Sequence, residues 1–483
     1  MTESLRHKGA RGGGITLLAQ GGRMLVQLVG VVVLSRLLSP GDFGLLAMVM
    51  AFMTLAELVR DFGLSSSALQ AKELSQQQAS NLFWLSWALG SATGLLLVAS
   101  TPLIVRLYSE PRLEYIVPAM AVTLFLGGAQ AQIQVQLARQ LKFSALALSN
   151  FLAPTVGLAL AVVAALLGWG YWALVLQAVG GALVLLLVQI GAARWVPWRP
   201  RRGQGTGDLV RSGAHLGAAH MLTWAASNVD SLVAGVRFGS VRLGHYNRGF
   251  QLTVTMIGGF LAPLTQVAIP MLNEARKSGK RPADLLVKMQ ALVAIPVCMA
   301  MVLLALTAPS LVPLLLGDQW GPAVPIIQIL AAAECLHSLS FISYWGFLTE
   351  GLSRQLLNYN LLTKPITVLA VLIGSNWGIE GLARGYLVGL AFAWPTNVIW
   401  LARTAGYEWP KFLGNGARIL ATAAISYAAA ALVLGERLQT PSWSAVALAG
   451  VSVVAIFVVL VGALPAGRRD LARMFAVTRD FVK

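Results

Sequence analysis

Gln20, Arg23 and Gln27 stand three and four residues apart in an otherwise apolar run, so a helix through them presents one amide–guanidinium–amide face. A guanidinium offers a planar fork to phosphate oxygens and stays charged in any environment, so this face has the chemistry to hold an anion. Asn247, Arg248, Gln251 and Thr255 repeat the combination in another apolar run. Each cation also has a plainer reading. Arg23 sits about eight residues, roughly 12 Å, from the end of its run, from where a long side chain can still snorkel to an interface; Arg248 fits an interfacial anchor as well as a binding cation.

Acidic groups inside apolar runs are costly and mark candidate sites. Glu57, Arg60 and Asp61 end the second run, where Arg60 can pair with Glu57 three residues back. They form either a gate or a solvated helix end. His220, Thr223, Ser227 and Asn228 share a broad face, with Asp230 beyond it. Asp230 could accept a coupling proton or pair with an arginine, and the i, i+3 pair Glu334 and His337 has the same two readings. Glu380 and Arg384 make a well-oriented i, i+4 pair that reads as structural, and Lys364 reads as a snorkelling anchor. The glutamines at 130, 132, 134 and 136 alternate, so they decorate two helix faces and suit interhelical hydrogen bonds.

The elements that must position these groups are membrane helices. Hydrophobic residues make up 57% of the 483 residues and charged ones only 11%, and in lipid only intrahelical bonding satisfies so much backbone. Hydropathy predicts an all-α polytopic protein of about 14 spans: 15–37, 43–69, 79–105, 115–137, 146–167, 171–193, 213–238, 246–271, 285–308, 323–349, 361–375, 379–402, 416–435 and 443–464. Prolines 118, 154, 263, 270, 296 and 395 fall within spans and permit bends. Trp169, Tyr171, Trp172, Trp195, Trp198, Trp320 and Trp409 fall near span ends, as an interfacial belt requires. Cys298 and Cys335 lie inside spans and read as packing residues.

The net charge of +17 would suggest nucleic acid in a soluble chain. Its placement says otherwise. With a cytoplasmic N-terminus the inner segments hold 23 Lys and Arg against six in the outer loops, so the positive-inside rule puts both termini in the cytoplasm. The first span is too long for a signal-peptide core and lacks a convincing cleavage site, so it is expected to stay in the mature protein. No phosphate-loop motif occurs, and no connection is long enough for a nucleotide-binding domain. Nucleotide, cofactor, metal and catalytic residues are therefore not expected, nor is an enzyme.

The joint Arg36-Leu-Leu-Ser39-Pro-Gly-Asp42-Phe43-Gly44 is echoed by Arg237-Phe-Gly-Ser240-Val-Arg242-Leu243-Gly244. Both read Arg-x-x-Ser and then Phe or Leu before Gly, where two parallel six-span halves would place them. The expected organisation is an N-terminal lobe (1–193), a basic cytoplasmic linker (194–212), a C-terminal lobe (213–402), spans 13 and 14 (403–464) and a basic cytoplasmic tail (465–483). Two such lobes predict a central cleft and alternating access by rocking.

Ser35–Gly44, Asp61-Phe-Gly-Leu-Ser-Ser66, Gln70-Ala-Lys-Glu-Leu-Ser75, Asn81-Leu-Phe-Trp84, Arg139-Gln-Leu-Lys-Phe143, Tyr246-Asn-Arg248 and Gly317-Asp-Gln-Trp320 together resemble Wzx-type lipid-linked oligosaccharide flippases, particularly the colanic-acid-like exopolysaccharide branch. The resemblance is dense over 30–150, patchier through 240–350 and only hydropathic beyond 400. It implies two six-helix lobes plus two helices, moving an undecaprenyl-diphosphate-linked oligosaccharide across the bacterial inner membrane. A polysaccharide polymerase is a candidate partner. Arg23, Arg248, Gln20, Gln27, Asn247 and Gln251 become the substrate-binding candidates, and Glu57, Arg60, Asp61, Asp230, Glu334 and His337 the gating or coupling ones. The rival readings are a multidrug exporter of the same superfamily, which would want acids around an apolar cavity, a peptidoglycan-precursor flippase, and a sugar ligase or polymerase.

Overall fold

In the computed structural model the described residues are 3–201, 207, 210, 228–279, 282–435, 437–438 and 440–482. They form helices α1 (Glu3–Leu37), α2 (Pro40–Asp61), α3 (Leu64–Gln70), α4 (Gln76–Ala99), α5 (Thr101–Tyr108), α6 (Leu113–Arg139), α7 (Phe143–Leu166), α8 (Trp172–Ala193), α9 (Val229–Phe250), α10 (Met256–Lys277), α11 (Pro282–Leu316), α12 (Val324–Thr349), α13 (Ser353–Gly374), α14 (Gly378–Ala405), α15 (Trp409–Leu434), α16 (Trp443–Ala463) and α17 (Pro465–Val482), and no strand occurs among them. Eleven helices or continuous runs are long and apolar enough to cross a membrane among the described residues. Two of these, Val229–Lys277 and Ser353–Ala405, are about double length; the second covers the expected spans 11 and 12, and the first covers span 8 and the end of span 7. The chain is a multi-pass membrane protein. Most of span 7, including His220, Thr223 and Ser227, lies outside the described residues, as do 202–206, 208, 209, 211 and 212 of the linker expected at 194–212.

Short local rules set several helix starts. Ser39 accepts from the Asp42 backbone N–H while Asp42 accepts from the Ser39 N–H, and Pro40 takes a position where its missing N–H costs nothing. Ser75 and Gln78 make the same reciprocal cap at α4. Helix ends use basic residues: Arg139 donates to the Ala68 and Ala71 carbonyls (3.0 and 2.7 Å), and Lys142 to that of Ala192 (3.1 Å). Those carbonyls have no partner within their own helices, so two cations of the quoted signatures serve the fold.

The chain divides into two compact units, 1–244 and 245–483. In the first, α1 packs on α7, α7 on α8, and α6 on both α4 and α8. Gln130 donates to Gln189 (2.8 Å), which donates to Ser149 (3.1 Å), a buried amide chain linking α6, α8 and α7. An extended segment after α8 lies along the start of α4. Gln77, Asn81 and Trp84 donate to the Arg199, Arg201 and Trp198 carbonyls at 2.7 to 2.8 Å, which gives the Asn81–Trp84 signature its role.

The two Arg-x-x-Ser joints meet. A Cβ on Gly44 would lie 1.7 Å from the Ser240 carbonyl oxygen, and one on Gly244 would lie 1.9 Å from that of Pro40. The contact is reciprocal: residues 40 and 44 touch 244 and 240, as a two-fold relation between the joints demands. Only residues without a Cβ permit this approach.

The second unit is built around α11. That helix packs on α12, α15 and α16, with α12 and α13 in turn against α14. Cys298 on α11 and Cys335 on α12 are buried free thiols.

Candidate functional site

On α1, Gly22 packs against Phe151 and Gly30 against Leu158 of α7. Gln20, Arg23 and Gln27 are left exposed on an adjoining face. Among the described residues Arg23 has no hydrogen bond or ion pair within the protein. The structure thus presents the expected amide–guanidinium–amide stripe with its donors available.

Arg248 is in different surroundings. It is 4% exposed, its guanidinium lies 5.2 Å from the centre of the Trp320 ring, and its Nη1 donates to Gln251 Oε1 at 2.6 Å. His245 meets the same indole edge-on at 5.8 Å and sits 3.1 Å from the Gln319 carbonyl oxygen. Two signatures some 70 residues apart in sequence, Tyr246-Asn-Arg248 and Gly317-Asp-Gln-Trp320, are therefore one packed cluster. Trp320 is fully buried, packed against this cation and this histidine. Asn247 is half-buried and Gln251 exposed. Since Arg248 occupies the amide oxygen of Gln251, the amide nitrogen is the end left to donate. The helix changes here: Gln251–Thr255 is a π-turn, which widens the ladder to i→i+5 and moves Thr255 out of the expected stripe.

Arg60 does not pair with Glu57. No ion pair joins them within 4 Å among the described residues; the Arg60 side chain instead runs from α2 into a notch between α4 and α6. A Cβ on Gly127 would lie 1.9 Å from Arg60 Nη1, and one on Gly90 would lie 3.4 Å from its Cδ. The notch receives the guanidinium between α4 and α6, and Arg60 Nε is buried without a hydrogen-bond partner. Asp61 accepts a short hydrogen bond from Ser65, which ties it to the turn into α3. Glu57 is half-buried.

Asp230 is buried in the first turn of α9. Glu334 is fully buried on α12, with Oε2 3.0 Å from His337 Nδ1 and with Oε1 lacking a partner. The His337 side chain is 33% exposed, so the pair runs from an enclosed carboxylate to an accessible imidazole. That arrangement can pass a proton. Glu380 and Arg384 pair at 3.0 Å on α14, as their spacing predicts. Sequence reasoning did not find Gly90 and Gly127 as the seat of Arg60, nor Trp320 as the partner of Arg248.

The fold is shared with a solved flippase and a solved transporter. The structure titled lipid II flippase MurJ, inward closed conformation, superposes with a TM-score of 0.72 at 12% identity, covering 95% of this chain and 99% of that one. An inward-facing multidrug resistance MATE family transporter of the MOP superfamily gives a TM-score of 0.58 at 15% identity, over 83% of this chain and 95% of that one. The chain itself belongs to the polysaccharide biosynthesis protein family, whose pattern matches residues 33–325, more than half its length. It is similar to the lipopolysaccharide biosynthesis protein WzxC of Escherichia coli (strain K12), 24% identical over 397 residues, covering 80% of this chain and 79% of that protein. The succinoglycan biosynthesis transport protein ExoT of Rhizobium meliloti (strain 1021) is 24% identical over 414 residues, covering 84% and 81%.

Proposed function

We propose that this protein is a flippase that carries a polyprenyl-diphosphate-linked oligosaccharide from the inner to the outer leaflet by alternating access, for exopolysaccharide or O-antigen biosynthesis. The observation that carries the reading is the family match over residues 33–325, with relatives named for lipopolysaccharide biosynthesis and succinoglycan transport. The transporter fold supports carriage in place of bond-making. Placement in the bacterial inner membrane follows from the flippase reading, and the cytoplasmic side of both termini from the 23-to-6 distribution of basic residues.

Arg23, between Gln20 and Gln27, is the first station for the diphosphate: its donors are unclaimed by described protein groups, and its fork matches phosphate oxygens. Gln251, held by Arg248, and the neighbouring Asn247 form the second. Fixed donors of this kind replace the water that the headgroup loses on entry. Glu57, Arg60, Asp61 and Asp230 are assigned to gating, and Glu334 with His337 to coupling transport to a proton gradient. A downstream polymerase would draw the reaction forward by consuming its product.

Cells lacking the protein should accumulate a lipid-linked sugar repeat unit. Arg23→Ala should reproduce that accumulation with the protein still inserted. Hydrogen bonds to charged groups are worth about 1.5–3 kcal/mol, so export should fall by roughly ten- to a hundredfold. Arg23→Lys should recover part of the loss, since it restores charge without the fork. Normal export by Arg23→Ala would leave snorkelling as the account of this residue. Accumulation of a peptidoglycan precursor instead would favour the rival flippase reading, and no accumulation of any lipid would sink both.

A further inference from the structure

In the second unit, α11, α12, α14 and α15 line an open-sided cavity of about 680 Å³. It occupies one end of this bundle. Its walls are the C-terminal half of α11 (Met301, Ala305), the N-terminal half of α12 (Ala332, Leu336), the start of α14 and the C-terminal half of α15 (Ala423, Tyr427). Alanines on three walls leave the space, where larger side chains would close it. The polar Gln328 on the wall is already engaged, donating to the Ala305 carbonyl at 3.1 Å.

The dimensions identify a kind of occupant. Glu380 and Arg384, which also line the cavity, stand in the first two turns of α14, at headgroup level for a spanning helix. Leu336 is twelve residues beyond the start of α12 at Val324, so at 1.5 Å per residue the lining reaches about 18 Å inward. One leaflet of hydrocarbon is about half of the roughly 30 Å core. The cavity therefore runs from an ion pair at the interface through the depth of a single leaflet, with apolar walls below.

The ion pair identifies the head. Arg384 Nη2 and Glu380 Oε2 are 3.0 Å apart, with the side chains 61% and 43% exposed. Neither makes another hydrogen bond or ion pair among the described residues, so the rest of the guanidinium fork and the second carboxylate oxygen face outward. Adjacent plus and minus charges complement a head with adjacent minus and plus. A purely anionic head would meet the Glu380 carboxylate, and a quaternary ammonium has no N–H to donate to it. We propose that this cavity binds one acyl chain of a bilayer aminophospholipid, with its phosphate on Arg384 and its ammonium on Glu380, as a lipid site separate from the transported substrate.

The test uses the full chain in vesicles of phosphatidylethanolamine and phosphatidylglycerol. Each lipid is supplied in turn with a photoreactive diazirine midway along one acyl chain, and a polyprenyl phosphate carrying the same group is the third probe. Labelling of peptides covering 324–336 and 420–427 by the phosphatidylethanolamine probe should exceed that by the phosphatidylglycerol probe roughly fivefold, the factor that one exposed ion pair of about 1 kcal/mol supplies. Glu380→Gln should erase that preference, since only the ammonium distinguishes the two heads, whereas Arg384→Gln should lower labelling by both phospholipids, which share the phosphate. Ala332→Phe should reduce labelling of both peptides while leaving that of the lipid-exposed α16 unchanged. Equal labelling by the two phospholipids overturns the proposal. So does preferential labelling by the polyprenyl probe, which would assign the cavity to a prenyl tail, or full labelling in an Ala332→Phe protein of unaltered melting temperature. None of these outcomes depends on which lipid the protein transports.

Discussion

Replacing Gly44 by alanine tests the reciprocal crossing of α2 and α9. The new Cβ would start 1.7 Å from the Ser240 carbonyl oxygen and 2.5 Å from its carbon, both backbone atoms that no rotamer change can move aside. Ordinary heavy-atom contact lies near 3.5 Å, so the helices must separate by more than 1 Å. Overpacking of this kind costs about 1–3 kcal/mol. Alanine regains roughly 0.5–1 kcal/mol of helix propensity, leaving a net loss on the order of 1–2 kcal/mol. Gly191→Ala in α8 is the control, since a Cβ there meets nothing within 4 Å; it should be neutral or slightly stabilising. The reciprocity makes a sharper claim about the pair. Once Gly44→Ala has parted the helices, adding Gly244→Ala should cost less than it does alone, because both side chains occupy one crossing. Thermal unfolding of the four purified proteins, followed by tryptophan fluorescence, reads both effects, and polymer export in cells reads the functional cost. A Gly44→Ala protein that melts and exports like the Gly191→Ala control, or strictly additive losses, would refute the crossing.

Gly127→Ala should push the Arg60 guanidinium out of its notch, because Nη1 is 1.9 Å from the added carbon and the flexible side chain yields more easily than either helix. Its export defect should therefore match that of Arg60→Ala with a stability loss under about 1 kcal/mol; unequal defects would show that the notch does not govern Arg60. Glu334→Gln should abolish gradient-driven transport in vesicles while leaving lipid binding intact, and adding His337→Gln should cost nothing more, since the two side chains act as one pair. Transport by Glu334→Gln that still collapses with an uncoupler would remove the pair from coupling.

Much of the architecture was legible in the sequence because the bilayer leaves little choice. Long apolar runs must become helices, and the expected spans 115–137, 146–167, 171–193, 323–349, 379–402 and 443–464 fall on single described helices within three residues at each end, whereas 43–69 and 79–105 are each split into a long and a short helix, and the helices at 285–308, 361–375 and 416–435 run seven or eight residues further at one end. Local chemistry was equally readable: Ser39 with Asp42 and Ser75 with Gln78 cap their helices from residues three apart, and Glu334 with His337 and Glu380 with Arg384 pair at helical spacing. Family membership also lay in short boundary motifs, which now prove to be caps, carbonyl anchors and the clamp on the segment after α8. Tertiary structure decided what lies across each interface, which depends on how each helix is rotated about its axis and which neighbour it meets. Spacing alone paired Arg60 with Glu57, whereas packing laid it over Gly127. Arg248 read as a cation on a stripe, whereas a contact with Trp320 buried it and a π-turn shifted the stripe beyond it. Period 3.6 cannot foresee an extra residue in the ladder, and no linear pattern shows that four helices leave alanine-walled space between them. What each residue can do was written in its type and spacing; what it touches was set by close packing between segments distant in sequence.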